Sequence, residues 1–322
     1  MRSNSDLKEI KELLLSCRDR VYIFSHPYPD GDSIGSTMGL YHLLRSAGVQ
    51  AVPVLPPPLP RSYEFLLSGA EVLSPPVDIA GGTAVVLDCG DLRRLRETGQ
   101  SLEGAARIIN IDHHLNNDMF GDYNYVDCQA AAVGQILLAM FAGSPCPPPA
   151  AEALYTAVYT DTGRFSYSNT SADALAAAAE LVKSGARPQR VFNEIYQNRS
   201  REYYSLLAEV LAGMEITHNG LVASISLDRE LMGKHRVCEW ELDELSDYPR
   251  SLRGVLVSVI FKEVGENTVK VSLRSKEHVN VAAVARELGG GGHHNAAGVT
   301  LNMSLAQARQ QVLARLEAGL SP

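Results

Sequence analysis

The sequence predicts an α/β protein: a mainly parallel sheet with flanking helices, followed by a smaller α+β domain. Short apolar runs rich in Val and Ile recur through the first part of the chain, and segments of helical spacing separate them. That alternation is expected of a parallel sheet covered on both faces. After residue 186 the texture changes to a long, partly charged helical stretch, and strand-like runs then cluster. We therefore expect a first domain over 1–186, a helical connection over 187–213 and a second domain over 214–322. A chain of 322 residues can bury two such cores.

Leu7, Ile10, Leu13 and Leu14 have helical spacing. Arg20-Val21-Tyr22-Ile23-Phe24 then reads as a buried strand. Pro27, Pro29 and Gly31 forbid regular structure, so 25–32 is expected as a loop, with a helix over 33–47 that Gly48 ends. Further strands are expected at 51–55 and 83–87, with the stiff Pro56-Pro57-Pro58 run between them. The run Ile108-Ile109-Asn110-Ile111 is the next strand. Helices follow over 130–142 and 149–160, and another runs from Ser171 or Asp173 to Lys183.

In the connection, 188–213 reads as one helical segment with Val191, Ile195, Leu206, Leu207 and Val210 buried. The second domain offers strands at 221–227, 254–263 and 268–273, a helix over 281–288, four successive glycines, a strand at 299–301 and a last helix that Ser304 can cap.

The net charge of -8 argues against binding along long duplex nucleic acid, which normally needs a basic face. It still permits a short anionic substrate held by a metal and a few arginines. The five cysteines are odd in number and form no CxxC pair, which disfavours a disulfide framework or thiolate zinc site and suits a reducing compartment. The N-terminal residues lack the apolar core of a signal peptide, and no apolar run is long enough to span a bilayer. A cytoplasmic protein with no membrane partner is expected.

The chemistry gathers where the strands stop. His26, Asp30 and Asp32 follow the first strand, Asp88 the third, and Asp112-His113-His114 the fourth; Asp161 stands at a helix end. In open parallel sheets, ligands bind beyond the carboxyl ends of the strands. Any one of these acids alone is more simply a turn or cap residue. Together they form a set of carboxylates and imidazoles without thiolates, which suits Mn²⁺ or Mg²⁺. They suffice for two ions about 3.5–4 Å apart, an arrangement used at phosphorus. In the second domain, Gly289 to Gly292 could let backbone approach a phosphate or simply end a helix. Arg274 at a strand end can grip a phosphate with two N–H groups. Arg253 and His294 read equally well as surface groups.

These motifs together resemble the DHH phosphoesterase superfamily. The upstream portion is His26-Pro27-Tyr28-Pro29-Asp30-Gly31-Asp32, followed by Asp88, Asp112-His113-His114 and Thr160-Asp161-Thr162-Gly163-Arg164. Gly289 to His293, with Ala296-Ala297-Gly298, looks like the associated C-terminal substrate domain. Length and order are most similar to the nano-RNase and pAp phosphatase branch. The resemblance implies that His26, Asp30 and Asp88 hold one Mn²⁺ and that Asp32, Asp88, His113 and Asp161 hold the other, with Mg²⁺ as an alternative. It places His114 beside the scissile phosphate and gives Asp112 an orienting role. Arg274, Ser275, Gly290, Gly291, Gly292 and His293 would bind the terminal nucleotide. One departure is visible: Cys128-Gln129-Ala130-Ala131-Ala132-Val133 stands where many relatives carry hydroxyl side chains.

The implied activity is Mn²⁺-dependent hydrolysis of dinucleotides and other very short RNA to nucleoside monophosphates, with removal of the 3′-phosphate of pAp. The alternatives are a phosphodiesterase for pApA or cyclic di-AMP and, from another class, an inactive nucleotide-binding regulator. Against the regulator, none of the six implied ligands is missing. The expected partner is short single-stranded RNA or a nucleotide rather than long duplex, and a homodimer is left open.

Overall fold

The computed structural model describes residues 4–237, 242, 245–276 and 279–320, except the side chains of His293 and 317–320. It divides into two compact units, Met1–Asn198 and Arg199–Pro322.

The first unit contains α1 (Leu7–Ser16), β1 (Val21–Phe24), α2 (Gly31–Ser46), β2 (Ala51–Val54), β3 (Thr83–Leu87), β4 (Arg107–Asp112), β5 (Tyr123–Val126), α3 (Val133–Met140), α4 (Pro148–Asp161), α5 (Ala172–Lys183) and α6 (Pro188–Tyr196). Its five strands pair in the order β2-β1-β3-β4-β5, all parallel. Successive strand side chains point to opposite faces. Val21, Ile23, Val85, Leu87, Ile109 and Ile111 therefore pack together on one face, against Leu40, Leu44, Leu137 and Leu154 of the helices. Tyr22, Phe24, Ala84 and Val86 pack on the other, against Ile79, Leu95 and Leu102. That second face is covered by the 3₁₀ turns of Leu92–Gly104. Leu95 and Leu102 are the large apolar side chains buried in that stretch, which supplies too little for a regular amphipathic helix.

From β1 the chain passes to β2 on one side, and from β2 it crosses to β3 on the other side of β1. The strand order thus reverses between β1 and β3, and in open α/β sheets ligands bind outside the carboxyl ends at such a point. His26 and Asp88 lie just beyond those two ends. Asp30 is the N-cap of α2, and Asp32 lies in its first turn rather than in a loop. The helix starts two residues earlier than its prolines and glycine suggest because Asp30 satisfies the backbone N–H of Ser33.

Close packing of α2 on α4 brings Asp32 toward Asp161. Gly31, Gly35 and Gly39 form a stripe on α2 that faces α4. A Cβ on Gly35 would lie 2.6 Å from the carbonyl oxygen of Ala153, so even a methyl group is excluded. Gly31 abuts the side chain of Thr160, the neighbour of Asp161.

In the second unit the elements are α7 (Arg201–Ala212), β6 (Glu215–Thr217), β7 (Val222–Leu227), α8 (Arg229–His235), α9 (Asp247–Ser251), β8 (Val257–Gly265), β9 (Thr268–Ser275), α10 (Val281–Glu287), β10 (Gly291–His293), β11 (Ala296–Leu301) and α11 (Leu305–Leu320). The sheet order is β10-β11-β9-β8-β7-β6, antiparallel except for β7 with β8. One face buries Val259, Phe261, Val271 and Leu273 against α10 and α11. Ile225, Leu227 and Ile260 pack with α7.

The stretch expected as one connecting helix is two helices. α6 buries Val191 and Ile195 in the first unit, and α7 buries Tyr203, Leu206 and Val210 in the second. The break falls where Ser200 caps α7 by accepting the N–H of Tyr203. Among the described residues, no helix is long and apolar enough to cross a membrane.

Candidate metal centre

The ligand-bearing side chains are held by backbone groups before any ion is considered. His26 places Nδ1 2.9 Å from the carbonyl oxygen of its neighbour Pro27. A carbonyl can only accept, so the proton sits on Nδ1 and the lone pair on Nε2, which lies 3.4 Å from Asp88 Oδ2. Asp88 has φ 55, in the left-handed region that Asp tolerates better than most residues. Its N–H donates to the carbonyl of Ile111 on the neighbouring strand, and its side chain faces His26 and His113.

Asp32 is fixed from α3. Its Oδ2 accepts the N–H of Val133 at 2.8 Å, while Oδ1 accepts Gly134 N–H at 3.2 Å and Ser36 Oγ–H at 2.7 Å. This explains two features of the sequence. The Ala130-Ala131-Ala132 segment does not join α3, which begins at Val133 where the buried carboxylate acts as its cap. The missing hydroxyl side chains of that segment also cost Asp32 nothing, since its partners there are backbone amides.

His113 has Nδ1 3.1 Å from the carbonyl of Ala130, which directs Nε2 toward Asp88 at 3.6 Å and toward Asp32 and Asp161, each at 3.8 Å. His114 Nδ1 lies 2.7 Å from Asp112 Oδ1 and 3.6 Å from Asp88 Oδ1. Three groups result, with donor atoms in each within 4.8 Å: His26, Asp30 and Asp88; Asp32, His113 and Asp161; and Asp88, His113 and His114. Asp88 and His113 each belong to two of them. All six expected ligands are thereby brought together around the ends of β1, β3 and β4.

Two residues that the sequence reading missed complete the support. Asn117 donates through Nδ2 to Asp112 Oδ2 at 2.6 Å and to Asn110 Oδ1 at 2.9 Å. Asn110 in turn donates to the carbonyl of Cys89 at 3.1 Å. Asn110 could have been found: an amide inside the run Ile-Ile-Asn-Ile must be buried, and a buried amide needs partners. Nothing local marks Asn117.

The electrostatics fit a cation. Asp88 is pushed well above the usual carboxylate range by burial and then by the charges of Asp32 and Asp30. Burial also raises Asp32. Asp161 is pushed up to about 8 by burial and by Asp32. Burial works against charge on His113, but Asp32, Asp161 and Asp88 outweigh it and hold the ring at about 9. Burial also opposes charge on Asp112, yet hydrogen bonds from His114, Asn117 and the His113 N–H bring it down to about 2. The nearby Cys89 thiol is pushed up to about 11 by burial and donates to the carbonyl of Asp91, so it is not part of the donor set. Hard oxygen donors with a few imidazoles match Mn²⁺ or Mg²⁺. A metal would replace the protons that now relieve the crowded carboxylates.

A pH dependence follows. Raised pKa values on Asp161 and His113 mean that the metal-free folded state binds more protons than the unfolded chain, so its stability falls as pH rises. The Asp161 contribution is lost from 3.8 up through about 8, and that of His113 from 6.5 up through about 9. Between pH 6.5 and about 8 both decline together, and His113 alone continues to about 9. Melting temperature in chelator should therefore drop across that window, while saturating divalent metal, which binds the deprotonated ligands, should flatten or reverse the slope. A chelated protein that gains stability between those pH values would show that the cluster is not strained by its own charge.

In the second unit, Arg274 stands on β9 with Nη1 donating to the carbonyl of Leu273 at 3.1 Å. Ser275 is buried; its hydroxyl donates to the Val279 carbonyl at 2.6 Å and accepts from Asn295 Nδ2 at 2.9 Å. Its hydroxyl thus holds a corner beside Arg274 and is turned away from solvent. The glycine run is not simply a loop. Gly291–His293 forms the edge strand β10, paired with β11. Gly290 and Gly292 press on the backbone of β11 so closely that a Cβ on either would collide with it. Gly291 has open space around its Cα. The side chain of His293 lies outside the described residues.

Residues 20–160 match the family model described as DHH family, N-terminal domain, and residues 221–321 match that of the DHHA1 domain. The "Bifunctional oligoribonuclease and PAP phosphatase NrnA" of Thermus thermophilus is 34% identical over 95% of this chain and 92% of its own length. The protein of the same name from Bacillus subtilis is 28% identical over 89% of this chain and 91% of its own. The crystal structure of an exopolyphosphatase-related protein from Bacteroides fragilis superposes with a TM-score of 0.90 at 25% identity, covering 97% of this chain and 95% of that one.

Proposed function

Since the chain belongs to the DHH family and carries a DHHA1 domain, we propose that it is a Mn²⁺-dependent phosphoesterase that hydrolyses dinucleotides and other very short RNA to nucleoside monophosphates, and that it removes the 3′-phosphate of pAp. The observation that carries this reading is the sharing of Asp88 and His113 between three-donor groups at the sheet's switch point. The names of the relatives that match over nearly the full chain support the substrate class.

His26, Asp30 and Asp88 would hold one ion, and Asp32, Asp88, His113 and Asp161 would hold the second. Bound divalent ions supply positive charge against the phosphoryl oxygens and lower the pKa of water. The protein's own groups orient the rest. Asp112 is anionic and keeps the proton of its contact with His114 on Nδ1, so His114 offers Nε2 to the substrate. Arg274 binds a substrate phosphate away from the reacting one, and Ser275 and Asn295 hold its strand end. An inactive regulator is disfavoured because every implied ligand is present and converges.

A turnover series with Mn²⁺ tests the reading, using RNA of two to about ten nucleotides, a long strand, pAp, pApA, cyclic di-AMP and pyrophosphate. The chain carries a net charge of -8 and shows no basic run to track a long backbone. The specificity constant kcat/KM should therefore peak for two to about five nucleotides and fall beyond. A profile flat to long strands would reject the short-substrate assignment. A clear preference for cyclic di-AMP would shift it to the messenger phosphodiesterase, and metal uptake without any turnover would favour the regulator.

A further inference from the structure

Between two of the proposed ligands, His26 and Asp30, the loop after β1 holds out an aromatic ring. Tyr28 is 72% exposed and has φ 64. Opposite it stands Arg96, exposed, with φ 50 and ψ -125 in the middle of the 3₁₀ stretch. The Arg96 guanidinium lies over the Tyr28 ring, 5.5 Å from its centroid, and Nη1 donates to the phenol oxygen at 3.5 Å. Leu95, fully buried against Tyr22 and Phe24 on the sheet, anchors the segment that presents this arginine.

Both residues are held in a backbone conformation that side chains other than glycine rarely adopt. A contact between two exposed groups does not repay two such strains. The pair buries no core surface and caps no helix. Strain kept by the rest of the fold, on residues flanking a reactive centre, is the pattern of a ligand clamp.

We propose that Tyr28, braced on one face by Arg96, is a stacking platform for the base of the nucleotide whose phosphate enters the metal centre. The inference rests on the nucleotide-phosphoesterase reading above and deepens it. Tyr28 is two residues from His26 and two from Asp30, and two peptide units span no more than about 7 Å. A nucleoside reaching from a phosphate at those ligands is thus within reach of the ring. Aromatic rings stack on any base, and a neighbouring arginine adds its charge to the phosphate side of the ligand. The platform therefore favours phosphoesters that carry a base over those that do not, with little preference among bases. It gives the first unit its own grip on the substrate.

The test uses the intact, metal-loaded protein with Tyr28→Ala and Tyr28→Phe. Turnover is compared for an RNA dinucleotide and for dinucleotides with one base removed. Tyr28→Ala should raise KM for the complete dinucleotide on the order of tenfold to a hundredfold, the usual loss on removing a stacking aromatic. The preference for the base-bearing over the abasic substrate should shrink by at least about tenfold, and Tyr28→Phe should restore it. Calorimetric Mn²⁺ uptake should be the same in both variants as in the parent.

A parallel readout does not need turnover: a dinucleotide containing 2-aminopurine should lose fluorescence when bound by the parent and by Tyr28→Phe, and keep it with Tyr28→Ala. The platform is overturned if quenching is absent or persists in Tyr28→Ala. It is also overturned if Tyr28→Ala lowers turnover of base-bearing and abasic substrates equally, alongside weaker Mn²⁺ uptake, since Tyr28 then only shapes the ligand loop. Quenching that depends on Tyr28 in a protein that cleaves no dinucleotide would instead reject the short-RNA activity and leave the platform standing.

Discussion

Asp88→Asn is expected to reduce turnover by roughly 10²–10⁴-fold while leaving the metal-free protein as stable as the parent, or more so. Asparagine keeps the shape of the side chain and tolerates the positive φ of 55 at this position. It removes the carboxylate that faces His26, His113 and His114 together. On the proposed reading both cations lose their shared anion. Removing one partner of a buried charged set costs about 3–5 kcal/mol, and a barrier raised by that amount slows a reaction by roughly 10²–10⁴. The stability expectation has the opposite sign because burial and the neighbouring carboxylates disfavour charge on Asp88 when no cation is present. Neutralising it relieves that repulsion. Melting in chelator should show no loss, whereas the rise in melting temperature on adding Mn²⁺ should largely disappear. Near-parental kcat with Mn²⁺, or a variant that melts well below the parent in chelator, would remove Asp88 from the centre of the site.

Much of this site was legible because the residues that carry it end strands. An apolar run such as Thr83-Ala84-Val85-Val86-Leu87 has one reading, and an Asp directly after it can only fall at the sheet edge. The parallel sheet and the convergence of the six donors follow from repeating that pattern. What was not legible depends on partners distant in sequence. Ala130-Ala131-Ala132 has high helix propensity, yet α3 starts after it because Asp32, 101 residues from Val133, captures the first amide. Gly291 and Gly292 disfavour a strand, yet they form one because β11 offers a partner, whose backbone Gly292 approaches too closely for any Cβ. β5 is four residues long with Asn124 buried in it, and its polar texture hides an edge strand that pairs with β4. In the second sheet face of the first unit, the helical cover implied by strand–helix alternation is replaced by turns, because Leu92–Gly104 is rich in arginine and poor in apolar residues.

Asp112→Asn should lower kcat by roughly 10²–10⁴, the contribution of a positioned proton-transfer group, while Mn²⁺ still binds. Asp112 is fully buried and belongs to none of the three metal-capable groups among the described residues. Its Oδ1 accepts from the His113 N–H at 2.8 Å and from His114 Nδ1 at 2.7 Å, and its Oδ2 accepts from Asn117 Nδ2 at 2.6 Å. An asparagine can reproduce only one of these two acceptors. If its oxygen stays toward His113 and His114, its N–H₂ faces the N–H₂ of Asn117, and a buried donor goes unpaired. Asn117 cannot relieve this simply by turning over, because its oxygen already accepts the Met119 N–H at 2.7 Å. That frustration should cost about 1–3 kcal/mol of stability. The catalytic loss has a separate cause. The carboxylate, held down at about 2, is anionic throughout the working range and keeps the His114 proton on Nδ1. A neutral amide oxygen no longer enforces that tautomer, and Nε2 is no longer fixed in the form offered to substrate. Stability should fall in both Asp112→Asn and Asn117→Ala, since each breaks the same buried network, but only Asp112→Asn should lose most of kcat at unchanged KM and also shift the pH profile of kcat. Equal kcat losses in the two variants, tracking their melting temperatures, would reduce Asp112 to a packing residue and leave His114 without its orienting partner.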